Sequence, residues 1–264
     1  MNIVYIDETW IDTSYTAKYC WQSKDERGAL LPISWGRLIV VHGGGCTGFV
    51  PGALLVWKAT SSTGDYHNEM NGQNFQKCVC EKLLENNSVK SVIVMDNASY
   101  HSCKSEKCPN SSACKADIQA WLTKHNIPFD KKLLRPELFA LAKVNKPEPQ
   151  YIIDDIAKEK GHIILRLPPY HPDLNPIELV WAQLKKIVSS RNFTNKLNDV
   201  LEMTKAAFIE ISVQNWENYC KHVINVEEEY TRKDIVIDQE MDNFVIELAD
   251  DTCSSNSDDQ DNDD

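Results

Sequence analysis

The chain has 264 residues, 42% of them apolar, enough to bury a real core as one large domain or two small ones. It holds no apolar run of the length (about 18 residues) that a membrane span needs, so no spanning helix is expected. The formal net charge of −11 argues against a nucleic-acid partner only if it is spread evenly, and it is not: residues 234–264 carry twelve Asp or Glu and no Lys or Arg, which leaves 27 acids against 28 bases in the rest of the chain. The body is close to neutral. The acidity belongs to residues 233–264, which lack apolar periodicity and are expected to form a largely disordered, solvating tail.

The first residues, MNIVYIDETW, have no basic leader and place Asp7 and Glu8 directly after a short apolar stretch, which reads as a core strand rather than a secretion signal. Nine Cys, an odd number, are then expected to be mostly reduced, as in an intracellular protein. In chain order, residues 2–7 predict a buried strand, and residues 36–43 and 52–60 predict two more, joined by the glycine-rich GGGCTGFVP. Three glycines in a row are a weak phosphate-loop signal when no Lys-Ser/Thr follows, so a hairpin connection is expected there. Residues 71–86 predict a helix with Phe75, Val79, Leu83 and Leu84 on one stripe. A fully apolar strand over 91–95 stops abruptly at Asp96, and a helix follows over 117–126 with Ile118, Trp121 and Leu122 inward. The charged stretch 130–160 predicts a helix only around 150–160. A strand over 162–169 and helices over 177–190, 197–211 and about 214–230 complete a mixed α/β layer fold, and Trp121, Trp181 and Trp216 read as core residues.

Three acids sit at structurally loaded points. Asp7 lies in or ends the first strand, Asp96 ends the strand at 91–95, and Glu178 opens a helix after the rigid segment LPPYHPDLNP. Sites in open α/β sheets gather beyond the carboxyl ends of strands, and carboxylates meeting there repel one another unless a cation holds them. Magnesium suits that role, because it takes a few carboxylates together with waters and phosphate oxygens. Each acid alone has a purely structural reading. For Glu178 it is a capping box: Asn175 as the cap, Pro176 as the first helical residue, and Glu178 turned back to the Asn175 N–H.

The words IDETW, VMDNASYH and PPYHPDLNPIELVWAQLKK, taken together, resemble the three catalytic blocks of mariner-type transposases, the DDE/D integrase-like family. HPDLNPIE followed by an apolar residue and Trp181 is the most specific of them. The likeness runs over roughly residues 1–190, and the helices to about 230 complete the domain. It implies a ribonuclease H-like mixed sheet flanked by helices, with Asp7 and Asp96 on neighbouring central strands. It also implies an inserted helical segment, about 102–160, between the fourth and fifth strands, within one catalytic domain over 1–232. Asp7, Asp96 and Glu178 would be the catalytic and metal-binding triad, with Mg2+ or Mn2+ as cofactor. The two ions would stand about 3.5–4 Å apart, with Asp7 bridging them and Asp96 and Glu178 each completing one.

The chain departs from that pattern in two ways. The interval from Asp96 to Glu178 is dozens of residues longer than mariner-type enzymes usually carry, as in a long-spacer branch. Asp7 also comes almost at the start, so an upstream DNA-recognition module of its own is not expected. The function implied is a transposase-derived DNA endonuclease or strand transferase. Against it stand an inactive, domesticated nucleic-acid or protein-binding module of the same fold, and a ribonuclease H-type nuclease that prefers RNA–DNA hybrids. DNA is the expected partner, a membrane is not, a homodimer stays open, and a nuclear location follows from the DNA role alone.

DNA contact is expected from Lys185, Lys186 and Arg191 on the Glu178 helix, with Lys131, Lys132 and Arg135 in the insertion, although any single Lys reads first as a solvated helix face. Tyr100, His101, Tyr170 and His171 lie beside the acids in sequence and could touch phosphates or bases. His101, Cys103, Cys108 and Cys114 offer enough ligands for a structural zinc ion, but their irregular spacing without a paired CxxC favours ordinary thiols.

Overall fold

The computed structural model describes residues 2–16, 36–59, 70–104 and 108–247, with side chains described as far as residue 238. Strands β1 (Asn2–Asp12), β2 (Arg37–Gly45), β3 (Gly48–Phe49), β4 (Leu55–Lys58), β5 (Ser91–Met95) and β6 (Ile163–Arg166) form one mixed sheet. Its order is β3-β2-β1-β5-β6, and β4 also pairs with β2. β2 runs antiparallel to β1, β3 and β4, whereas β5 is parallel to β1 and β6 to β5.

Alternation along β1 assigns the two faces of the sheet. Val4 and Ile6 join Ile39, Val41, Ile93 and Met95 under helix α1 (Gly72–Cys78), a π-helical turn over Val79–Leu84, and helix α4 (Ile152–Glu159). Ile11 joins Leu38 and Val40 on the other face, beneath helices α5 (Pro176–Arg191), α6 (Leu197–Glu210) and α7 (Val213–Glu247). This is the ribonuclease H-like arrangement, a mixed sheet flanked by helices. The predicted stripe of Phe75, Val79, Leu83 and Leu84 is buried as expected.

The glycine run is not a loop. Gly44 and Gly45 lie in β2, where a Cβ on Gly44 would stand 2.5 Å from the Trp216 ring and one on Gly45 would strike the Ile3 carbonyl. These residues are small because α7 and β1 approach so closely. The reverse turn that follows adds β3, a strand absent from the expected count, so the insertion lies between β5 and β6.

Two boundaries also differ. Helices α2 (Lys115–Lys124) and α3 (Arg135–Val144) pack on each other around Ile118, Trp121, Leu122, Leu138 and Ala142, a core of their own. A bridge between Lys104 and Tyr151 closes the neck of this unit, so α4 belongs to the sheet rather than to the insertion. Helix α7 continues unbroken to Glu247, so residues 233–247 are helical where a disordered tail was expected. Residues 248–264 lie outside the described residues.

His42 on β2 is buried against Phe49, with ring centroids 4.4 Å apart, and Phe208 meets its ring edge-on. Burial lowers its pKa to about 3. The unfolded chain therefore takes up this proton first, and stability is lost as pH falls below the unfolded value of about 6.5. The expected loss from this residue is about 2 kcal/mol between pH 7 and pH 5. Denaturant titration of wild type and His42→Phe at both pH values tests this, and equal losses in the two proteins would contradict it.

Candidate active site

The parallel register of β1 and β5 ends at Tyr5 opposite Val94. The same offset carried two residues further brings Asp7 level with Asp96, just past the end of β5. The chain leaves β6 by a hydrogen bond from the Leu167 N–H to the Met95 carbonyl (2.9 Å), which lays the proline segment alongside Asp96. A short 3-10 turn, Pro172–Leu174, then leads into α5. Asp96, Asn97, Ala98, Leu167, Pro168, Pro169, Tyr170, His171, Pro172, Asn175 and Glu178 line one open cleft of about 330 Å³.

Asn175 occupies the cap position of α5, but no capping box forms. The Asn175 N–H is taken by the Pro172 carbonyl at 3.0 Å, so Glu178 has no cap donor to turn back to. The Asn175 Oδ1 is buried in the cleft wall without a protein partner. Glu178 is exposed at the cleft. Its surroundings push its carboxyl upward by desolvation, against the pull of Lys185, and Asp96 adds to the rise.

Asp7 is buried, with Trp181 Nε1 donating to its Oδ2 at 2.9 Å. Desolvation raises its pKa well above the ordinary carboxylate range, and the charges of Glu8, Glu178 and Asp96 raise it further, while the Trp181 bond pulls the other way. Trp181 is thus a core residue, as expected, and also a donor to an acid. Asp96 keeps 51% of its side chain exposed. Its Oδ1 pairs with His101 Nδ1, and the Nε2 of the same ring meets Glu8 Oε1 at 2.8 Å. Burial alone would lower the His101 pKa, but Glu8 opposite it and the bonds to Asp96 and Glu8 outweigh burial and push it up to about 10. His101 is therefore a buried imidazolium between two carboxylates.

This arrangement corrects several expectations. His101 is fully buried with both ring nitrogens engaged, so it is no DNA contact. Nor does it join a zinc site: Cys103 Sγ donates to the Tyr100 carbonyl, Cys114 Sγ accepts from the Asp117 N–H, and among the described residues no three His, Cys, Asp or Glu side chains stand close enough to hold a metal. That last observation covers the acidic triad too: the three carboxylates act on one another electrostatically without meeting at ligand distance. Tyr100 is partly buried against Phe75 and His101. Arg191 pairs with Glu210 at the far end of α5, about 20 Å along the helix from Glu178. Lys131, Lys132 and Arg135 are exposed on the insertion and do not line the cleft.

Tyr170 and His171 do line it, Tyr170 with 99% of its surface exposed and a left-handed φ of 65°. Lys185, seven residues after Glu178 and hence on the same helix face, lies over the Trp10 ring at 4.6 Å, while Lys186 points to solvent.

A divalent cation suits these donors. The set is oxygen-only, the carboxyls of Asp7 and Glu178 are held upward by burial and by neighbouring acids, and an amide oxygen beside the cleft lacks a protein partner. Glu8 is the residue that the sequence reading passed over. It shares a strand face with Val4 and Ile6, and an acid on an apolar face demands a buried partner.

A ribonuclease H-like sheet with one acid midway along a central strand and a second just past the end of its parallel neighbour places the protein in a class. The chain belongs to the DDE superfamily endonuclease family, which matches residues 2–200. No curated protein matches it in sequence. Among solved structures it is similar to a pre-cleavage Mos1 transpososome (13% identity, 88% of this chain and 54% of that chain, TM-score 0.48). It is also similar to the Mos1 mariner paired-end complex with Mg (13%, 88% and 54%, 0.49) and to the catalytic domain of Mos1 mariner transposase (14%, 87% and 79%, 0.43). It spans about half the length of the transpososome chain.

Because Asp7 is raised, its contribution to stability is present below the unfolded carboxylate value and is lost as pH rises through its folded one. At pH 7 in EDTA, Asp7→Asn keeps an oxygen for Trp181 and removes the buried ionisable group. Its melting temperature is expected to rise, at about 2–4 °C per kcal/mol for a domain of this size. An unchanged or lower value would contradict the burial penalty.

Proposed function

We propose that the chain cleaves and joins DNA phosphodiesters, as an endonuclease and strand transferase of the transposase type, with Asp7, Asp96 and Glu178 as its reactive site. The observation that carries this reading is the electrostatic coupling of three carboxylates from β1, the end of β5 and the start of α5: Asp96 and Glu178 line one cleft, and the buried Asp7 is raised by desolvation and then by the charges of Glu8, Glu178 and Asp96. Asp7, Asp96 and Glu178 would hold Mg2+ or Mn2+. A pair of such ions supplies activation of a water or a DNA 3′-hydroxyl and stabilisation of the leaving oxygen.

The chain's own residues do the rest. Trp181 fixes Asp7 by its indole N–H. The 3-10 turn fixes where α5 begins, and Tyr230 of α7 braces that turn by donating to Asp173 Oδ2 at 2.7 Å. Lys185 brings a positive charge to the acids from the Glu178 face and draws the phosphate backbone toward them. Tyr170 presents an open ring at the cleft rim on which an unpaired base can stack, with His171 beside it and Lys186 on the outer face of α5.

A second reading is favoured by the acids standing outside ligand distance of one another: a module that keeps the fold and binds nucleic acid without cutting it. Nicking assays with and without Mg2+, on duplex DNA, single-stranded DNA and RNA–DNA hybrid, separate the two. The proposal predicts Mg2+-dependent cutting of duplex DNA, lost in Asp96→Asn by more than the roughly 100-fold that loss of an outer hydrogen-bond partner costs at a metal site. Equal activity in both proteins would remove the triad from the account, and preference for the hybrid would make the enzyme a ribonuclease H-type nuclease.

DNA affinity should fall steeply with salt, and Lys185→Ala should lower the salt slope by about one. A flat salt response would exclude the phosphate backbone as the ligand.

A further inference from the structure

We propose that His101 is a positioning residue for Asp96: anchored by Glu8, its ring holds the Asp96 carboxylate in one orientation toward the cleft and so sets the affinity of the acidic site for its cation. The inference rests on the cation-site reading given above. It concerns a residue that touches neither substrate nor cation, and it assigns Glu8 and His101 a task that packing does not require.

Asp96 needs such a device. It sits on the first residue past β5, half exposed, at the start of a turn closed by the His101 N–H on the Ala98 carbonyl (3.0 Å). A carboxylate on an exposed turn samples several rotamers, and a cation that binds only one of them must bear the ordering entropy. The His101 Nδ1 on Asp96 Oδ1 removes that freedom before the cation arrives.

The anchor is equally specific. Glu8 follows Asp7 in β1, and consecutive residues of a strand point to opposite faces. Asp7 accordingly meets Trp181 on one face, while Glu8 meets His101 on the other at 2.8 Å. The strand that carries one acid therefore carries the tether of the second, which couples the position of Asp96 directly to that of Asp7.

The ring itself is fully enclosed. Phe75 lies against it with centroids 3.8 Å apart. Behind it, Arg166 of β6 donates to Ser102 Oγ (3.1 Å) and toward the His101 carbonyl (3.5 Å), and is held bidentately by Asp154 at 2.7 and 2.9 Å. A buried ion pair of this kind is a poor way to gain stability, since apolar residues of equal volume generally serve as well or better. A requirement for orientation explains why polar groups are kept there.

Two substitutions separate orientation from packing. His101→Asn places an amide where Nδ1 stands and keeps a donor for Asp96, whereas His101→Gln places it where Nε2 stands and keeps only the link to Glu8. Mn2+ binding to the full chain is followed by electron paramagnetic resonance titration, with folding of each variant checked by thermal melting. Loss of an outer hydrogen-bond partner weakens metal binding about 10–100-fold, so His101→Gln is expected to fall by about that factor and His101→Asn, which keeps the donor to Asp96 but gives up the Glu8 anchor, by a smaller one.

A His101→Gln protein that binds Mn2+ like the wild type, or a His101→Asn protein that loses as much as His101→Gln, overturns the proposal. If the Gln variant does not fold, the wild type decides. Saturation with Mg2+ should shift the His101 Nδ1 nitrogen resonance, and the shift should vanish in Asp96→Asn. An unmoved resonance in wild type that binds Mg2+ overturns the proposal as well. Wild type that binds no Mn2+, or Asp96→Asn that binds as tightly, would instead remove the cation-site reading itself, and the proposal with it.

Discussion

Parallel pairing of β1 with β5 is the constraint on which this end of the molecule depends. It lays two strands from distant parts of the sequence side by side, in a register that brings Asp7 level with Asp96, and it buries Asp7 beneath α5. Like charges in a poorly solvated place repel, and the upward shift of the Asp7 carboxyl records that repulsion together with the loss of water. A fold would gain stability by replacing such a group with an apolar one. Keeping it makes sense only where the charge is put to use, and in a chain of the DDE superfamily endonuclease family the use we propose is chemistry on phosphodiesters.

The third acid is placed by different means. Two prolines after β6, a 3-10 turn and Pro176 leave the backbone few alternatives between the sheet and α5, and α7 clamps that turn from outside through Tyr230. The result fixes the direction of Glu178 while leaving its carboxylate at the cleft. Lys185 sits on the same helix face, half-buried over Trp10, where its charge is felt by Glu178 and Asp7. Positive charge also comes from His101, but this one is fully enclosed and already shared between Glu8 and Asp96. One cation is available to a substrate, and the other is spent on internal order.

How much of this was legible in the sequence follows from the range of each interaction. The alternation of Val4 and Ile6 against the site face, and the apolar run of β5 cut off at Asp96, are local patterns, and both strands were readable from them. The Glu178 helix was readable too, down to the cap position of Asn175. The capping box was not correctly readable, because its N–H goes to Pro172 only once the 3-10 turn has formed. Helix α3 escaped notice because its buried Leu138 and Ala142 face a separate small core, among charges that hide the stripe. The extension of α7 past residue 232 was hidden for a related reason: residues 233–238 are all exposed, and a helix turn with no buried face carries no apolar stripe. The Glu8–His101 pair spans 93 residues and depends on which strands are neighbours, so no local pattern announces it. Of two DNA-contact candidates that looked plausible by adjacency in sequence, His101 is enclosed, while Arg191 is exposed at the far end of α5, paired with Glu210 and away from the cleft.

The central claim is that Asp7, Asp96 and Glu178 share divalent cations. Crystals of the protein grown with Mn2+ and measured at the manganese absorption edge test it most directly. The account predicts anomalous density at the cleft in which each of the three residues gives a carboxylate oxygen to a bound manganese, at distances of about 2.0–2.3 Å. Strong manganese sites elsewhere on the molecule with none at this cleft would contradict it.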